Sequence, residues 1–273
     1  MRRLPLAILS TFLAATLFAL TPRPAQAQAP ESTLATVKKR GVLVVGVLTQ
    51  NVPYGYLDAN GNNTGFDVDV AKYVAKQLGV GLEFRPITPA TRIPLLNGGS
   101  IDVAIAATTI TRERSEAVDF TWPYATESGK ILIRKGEKVA SLADLDGQVV
   151  AFPQGLSAFA AIIKAHPTIK PLVLPDPPAA YQAVLQKKAI ATVLDATPLY
   201  RLVQANPQVE LAPGDAWAPK PLGLAIRQND TKWRNTLNYA LADLWRDGTY
   251  KTLYQKHFGR QLDPRFSINP FDL

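Results

Sequence analysis

The stretch GFDVDVAKYVAKQLGV, Gly65 to Val80, decides how the rest of the chain is read. Phe66, Val70, Val74 and Leu78 recur every four residues, which gives one apolar face of an amphipathic helix, and Gly79 stops it. Before it stands GVLVVGVL (Gly41–Leu48), an unbroken Val/Leu run that reads as a buried strand. A loop with an Asn-Gly turn, NVPYGYLDANGN (Asn51–Asn62), joins the two. After it come a strand, GLEFRPI (Gly81–Ile87), a short helix closed by glycines, TRIPLLNGG (Thr91–Gly99), and another buried strand, IDVAIAA (Ile101–Ala107). Strand, helix, strand, helix, strand is the grammar of a largely parallel sheet covered by helices.

The second half repeats it. SLADLDG has capping-box spacing at Ser141 and Asp144. QVVAF, LVLP and AIATVL read as strands, LSAFAAIIKAH and PPAAYQAVLQKK as helices, and DATPLYRLVQ as a helix capped by Thr197 with Pro198 at its first position. The tail from Leu222 holds one strand and two helices, too little for a domain of its own, so it returns to complete the first unit. The expected architecture is α/β with two lobes, each a mainly parallel sheet flanked by helices. Lobe 1 covers 28–126 and returns over 223–262. Lobe 2 covers 131–216, crossings lie at 127–130 and 217–222, and 263–273 is a C-terminal tail. A cleft between such lobes is a favoured place for a small ligand.

The first residues stand apart. A basic MRR start, the apolar run Leu4–Leu20, and small residues at Ala25 and Ala27 make 1–27 a secretory signal peptide. The run is short for a membrane span and is interrupted by Ser10, Thr11 and Thr16. The chain has no cysteine, which removes disulfides, thiol catalysis, thiolate metal sites and a lipid-bearing cysteine. An unanchored periplasmic protein is the simplest expectation. Of the net charge of +8, Arg2, Arg3 and Arg23 fall in the signal, leaving +5. The basic residues are dispersed, so nucleic acid is not expected as a partner. His166 and His257 are far apart in sequence, so no metal or other cofactor is expected.

AATTITRER (Ala106–Arg114) leaves a buried strand with small residues and hydroxyls, then positive charge. With Thr111 as a helix cap, Arg114 sits in the first turn against the helix dipole. Either it is simply solvated, or an anion lies there, held by the guanidinium fork and oriented by the Thr109 hydroxyl. Arg92 precedes Pro94 at a helix start and carries the same two readings. Asp195 ends a buried strand, and with Thr197 capping the next helix it is free to meet an ammonium group. Ser157 could donate to a carboxylate or be an ordinary first-turn serine. Asn51 and Tyr54 follow the first strand; Tyr54 either stacks on a ligand or packs between loop and core. A carboxylate grip on one lobe and an ammonium partner on the other is what a free amino acid requires.

At these residues the chain resembles the bacterial extracellular solute-binding proteins of family 3, polar amino-acid receptors of ABC importers. The resemblance rests on GVLVVGV, GFDVDVAKYVAKQLGV, RIPLLNGGSIDVAIAATTITRERSEAVDFTWPY, SLADLDGQVVAFPQG and DGTYKTLYQKHFG. It implies a type II periplasmic-binding-protein fold that closes by a hinge on one amino acid and delivers it to a membrane permease, as a monomer and not as an enzyme. It also implies that Arg114 takes the α-carboxylate with Thr109, and that the Ala107 carbonyl and Asp195 take the α-ammonium. Ser157 falls at a second-lobe carboxylate contact. Arg92 matches a subgroup that binds aspartate and glutamate, so an acidic amino acid is favoured. The chain departs from the family at Leu156, Ala107, Pro89 and Leu48. The competing enzyme class is a cyclohexadienyl (arogenate or prephenate) dehydratase, which needs a spare general acid; Glu113 and Glu127 are the nearest candidates and are expected to face solvent or the hinge.

Overall fold

The computed structural model describes residues 31–259 and 261. The expected signal peptide (1–27) and C-terminal tail (263–273) lie outside the described residues. The described residues open on α1 (Thr33–Arg40), a helix the sequence pattern does not predict, whose N-cap Ser32 accepts from the Leu34 N–H. Then follow β1 (Val42–Leu48), α2 (Phe66–Leu78), β5 (Gly81–Ile87), α3 (Arg92–Asn97), β6 (Val103–Ala104) and α4 (Arg112–Ser115). The loop after β1 carries a small antiparallel sheet of its own, β2 (Gln50–Asn51), β3 (Gly55–Leu57) and β4 (Asn63–Thr64). Phe66, Val70, Val74 and Leu78 are all buried, as their spacing predicts.

A long strand, β7 (Asp119–Arg134), leads to a short 3₁₀ turn at Leu142–Leu145, where Asp144 accepts from the Ser141 N–H as the capping box requires. Beyond it lie β8 (Val149–Pro153), α5 (Phe159–Ala165), β9 (Lys170–Leu174), α6 (Pro177–Leu185), β10 (Ala191–Asp195) and α7 (Ala196–Ala205). A second long strand, β11 (Val209–Ile226), returns, followed by α8 (Thr231–Arg246) and α9 (Thr249–Phe258).

Eight strands form one sheet in the order β5-β1-β6-β11-β7-β10-β8-β9. β1 runs parallel to β5 and β6, and β8 runs parallel to β9 and β10. The two lobes are therefore parallel sheets that share the antiparallel pair β7–β11, so hydrogen bonding is continuous from one to the other. In that pair Glu127 faces Lys220, Gly129 faces Trp217 and Lys130 faces Asp215, which sets the two stretches read as crossings side by side. The register slips between Asp215 and Trp217 and again between Trp217 and Lys220, irregularities that bend and twist a strand. A Cβ on Gly129 would stand 2.1 Å from the Trp217 ring, so only glycine fits there.

Each lobe has its own core. In lobe 1, Val45, Phe66, Val70, Leu224, Trp233, Leu237 and Leu241 pack on one face of the sheet, and Val44, Leu96, Ile101 and Val118 on the other. The C-terminal helices thus complete lobe 1. In lobe 2, Ile131, Val150, Phe152, Ile162 and Val193 lie on one face, with Leu132, Tyr181, Leu199 and Val184 on the other. Each such side chain contributes roughly 1.5–3 kcal/mol when fully buried. No helix among the described residues is long and apolar enough to cross a membrane.

Candidate functional site

On the lobe 1 side, β6 leads into Ala106, Ala107, Thr108 and Thr109, all buried. Thr111 caps α4 by accepting from the Arg114 N–H at 3.2 Å. The cap turns the Arg114 side chain back along the strand end, where Nη1 donates to the Thr109 carbonyl at 2.9 Å. Burial lowers the Arg114 pKa, while Asp195 and Glu113 hold it up.

Ala107 has φ 44°, a left-handed conformation that costs a non-glycine residue on the order of 1–3 kcal/mol and persists only where its surroundings fix it. The fixing group is Asp67 on α2. One carboxylate oxygen accepts from the Ala107 N–H at 2.9 Å and the other from the Tyr124 hydroxyl at 2.7 Å. Burial pushes the Asp67 pKa up to about 7 against these hydrogen bonds and the charge of Arg92. Sequence reading missed Asp67. The available signal was an acid in the buried stripe Asp67, Ala71, Val74, Leu78 of an otherwise apolar helix face.

Arg92 is only 4% exposed, so the solvated reading is corrected. The start of α3 points it under the β6 end, where Nη1 donates to the Ala106 carbonyl at 3.0 Å. Among the described residues its buried Nε has no hydrogen-bond partner. Burial, and then the like charge of Arg114, lower its pKa to about 9, which leaves it a cation at neutral pH.

On the lobe 2 side, Asp195 occupies the N-cap position of α7 but makes no side-chain capping bond. The expected cap, Thr197, lies inside the helix; its N–H and hydroxyl both donate to Glu127, at 3.0 and 3.1 Å. The Asp195 carboxylate is free for the cleft, though for a different reason from the one the sequence suggested. Burial raises its pKa to about 7, Glu127 adds to the rise, and Arg92, Arg114 and Lys220 oppose it. Ser157 sits in the turn before α5 rather than in its first turn.

Arg92, Ala107, Thr109, Arg114 and Asn51 from lobe 1 line one cavity with Ser157 and Asp195 from lobe 2; Leu48, Pro89 and Leu156 are among the apolar residues of its wall. It encloses about 470 Å³, its mouth included. Arg114 reaches across it, Nη2 donating to the Gly155 carbonyl at 2.8 Å. Gly155 has φ 78° and lies so near lobe 1 that a Cβ would meet the Pro89 backbone at 2.5 Å. Tyr54 is the sequence-predicted residue that does not join the cavity. It is 1% exposed, packs edge-on to Phe258, and donates its hydroxyl to Glu127 at 2.6 Å. Glu127 is itself buried, on the β7–β11 pair at the crossing rather than in solvent, and Glu113 is exposed; these are the two placements expected for them. Among the described residues no group of three or more His, Cys, Asp or Glu could hold a metal ion.

Charges of both signs on one small cavity suit a zwitterion, because each buried charge then has a partner. The comparisons agree with that chemistry. The glutamine-binding protein GlnH of a Bacillus subtilis ABC transporter is 30% identical over 238 residues, spanning 85% of this chain and 86% of that one. An ancestral arginine-binding protein solved with arginine is 36% identical at a TM-score of 0.77, covering 81% and 99%. The ancestral amino-acid-binding protein AncCDT-1, described as a precursor of cyclohexadienyl dehydratase, is 36% identical at 0.76, covering 84% and 100%. All three are named for binding amino acids, none for catalysis. Residues 43–260 match the family of bacterial extracellular solute-binding proteins, family 3, and with that match over most of its length the chain belongs to that family.

Proposed function

We propose that the protein is the periplasmic receptor of an amino-acid ABC importer, a monomer that closes by a hinge on one L-amino acid and hands it to a membrane permease. The observation that carries this reading is the shared cavity of Arg114 and Asp195, one from each lobe. Arg114, with the Thr109 hydroxyl and Ser157, takes the α-carboxylate through a planar fork that suits two oxygens. Asp195 and the Ala107 carbonyl take the α-ammonium. The bulged β7–β11 pair is the hinge, and a ligand that touches both lobes favours the closed form by its differential affinity.

The side chain of the ligand is acidic in this reading. Arg92 supports it: a buried cation with an unpartnered Nε at the cavity wall calls for an acceptor, and a carboxylate also supplies the missing charge. Asn51 adds a polar side chain on the same wall.

A thermal-shift screen of the twenty amino acids, prephenate and arogenate tests the reading, since a ligand that binds only the native state raises the melting point. Stabilisation by glutamate or aspartate without turnover is expected. Product formed from arogenate, or no response to any amino acid, overturns it.

A further inference from the structure

Asp195 ends its strand at the first residue of a helix N-terminus, where a carboxylate normally folds back to accept the exposed N–H groups. Here it does not, and the structure shows what satisfies them instead. Glu127, on the long strand β7, accepts from the N–H and the hydroxyl of Thr197 with one carboxylate oxygen and from the Tyr54 hydroxyl with the other. Tyr54 belongs to the lobe 1 core and Thr197 to lobe 2, so a single buried carboxylate at the crossing ties both lobes to the residue two positions after Asp195.

We propose that Glu127 is a positioning residue for ligand binding: by capping α7 from the hinge it takes the Thr197 N–H that Asp195 would otherwise satisfy, and so keeps the Asp195 carboxylate turned to the cleft. This rests on the reading of Asp195 as the ammonium partner. Glu127 acts on Asp195 in a second way, as a like charge held close to it. The groups that act on Asp195 are then Glu127, which favours its proton, and Arg92, Arg114 and Lys220, which disfavour it. A cation entering the cleft meets the Asp195 carboxylate, with Glu127 behind it and outside the lining.

Glu127→Gln and Glu127→Ala separate the two effects. Gln keeps an acceptor for Thr197 and can donate to the Tyr54 hydroxyl, so the contacts survive and the charge is lost. Ala loses both, and if it fails to fold Gln carries the test alone. The Asp195 carboxyl is titrated by carbon NMR in the ligand-free protein, and L-glutamate affinity is measured by calorimetry from pH 5.5 to 8.5. In Glu127→Gln the Asp195 midpoint is expected to fall by about one pH unit. The variant then binds more tightly than the original protein near pH 6 and no more tightly at pH 8.5, a crossing that a purely structural role would not produce. Glu127→Ala is expected to lose about tenfold in affinity at pH 8.5. An Asp195 midpoint that does not move in Glu127→Gln, or a Glu127→Ala protein that binds L-glutamate at pH 8.5 as tightly as the original, overturns the proposal. A midpoint that moves while no amino acid binds any form leaves Glu127 where it is proposed and removes the amino-acid reading instead.

Discussion

Lobe 1 lines its wall of the cleft with the polar side chains of Asn51, Arg92, Thr109 and Arg114, and lobe 2 lines its wall with small and apolar residues around Ser157 and one carboxylate, Asp195. Asp67, Arg92, Thr108 and Thr109 are all buried on the lobe 1 side, and each of the two charged ones is anchored to the β6 end by a hydrogen bond. The body behind them is cross-linked by ring contacts and ion pairs. Phe66 stacks on Tyr124 and meets Tyr250 and Phe258 edge-on, and Asp69 ties α2 to α9 through Lys256 and His257. Although burial opposes it, contact with His257, Lys256 and Lys72 holds the Asp69 pKa well below the usual carboxylate range. Lobe 2 offers a glycine loop, the Ser157 turn and Asp195 at a helix start. Its aromatic packing near the cleft is the Phe152–Phe159 pair. In the proposed receptor this contrast means that geometry is stored in lobe 1 and closure is delivered by lobe 2, so that a ligand settles on the lobe 1 surface before lobe 2 arrives.

That contrast can be broken first at Arg114. Arg114→Ala is expected to weaken every amino-acid ligand by about 100- to 1000-fold, the loss typical when one partner of a desolvated charge pair is removed. Calorimetry with acidic and neutral amino acids checks it. The helix cap at Thr111 survives the change, so the melting point of the free protein should move little.

Arg92 sharpens the lobe 1 side of the comparison. Arg92→Met keeps much of the stem volume and is expected to cost glutamate about 100-fold and glutamine less than about threefold. Equal losses for the two ligands, read in parallel titrations, would remove Arg92 from the side-chain contact.

Asp195 tests the lobe 2 side through pH. Its pKa in the free protein is raised from 3.8 to about 7, and a bound ammonium lowers it again. The complex therefore holds fewer protons than the free protein. Affinity is full above about pH 7 and is lost as pH falls through that value, by at most tenfold per pH unit. Asp195→Asn is expected to bind about 30-fold more weakly at pH 8.5 and to show a nearly flat pH profile. A steep profile in that variant would place the titrating group elsewhere.

The smallest effect is expected at the contact between lobes. Gly155→Ala meets both an unfavourable φ and the Pro89 backbone, and should weaken binding by about tenfold, chiefly through faster dissociation. Stopped-flow release of ligand measures it. An unchanged off-rate would mean that closure does not bring these two loops together.

Much of this was legible without coordinates. The period of the apolar residues in α2, the Val/Leu run of β1 and the strand–helix alternation fix the elements, because helix and strand periodicity are local properties of the chain. Arg114 was legible too, since its cap, Thr111, is three residues away. Arg92 was recognised as a candidate but not as buried, because its acceptor, the Ala106 carbonyl, comes from a different element. Tyr54 was a candidate because it follows β1, and its true partner is 73 residues further on.

By itself, the sequence determined the two α/β halves, the returning C-terminal helices and most of the charged groups that a zwitterion would meet. Which carboxylate lines the cleft and which are taken up by the protein's own donors follows from the tertiary structure alone. Asp195, Glu127 and Asp67 are three acids flanked by apolar or small residues, and nothing local in the sequence tells them apart. Asp67 holds Tyr124 across 57 residues and Glu127 holds Thr197 across 70, and those distant donors leave Asp195 as the acid turned to the cleft. A hydrogen bond needs its partners within about 3 Å, and chain spacing says nothing about that distance once the partners lie on different elements.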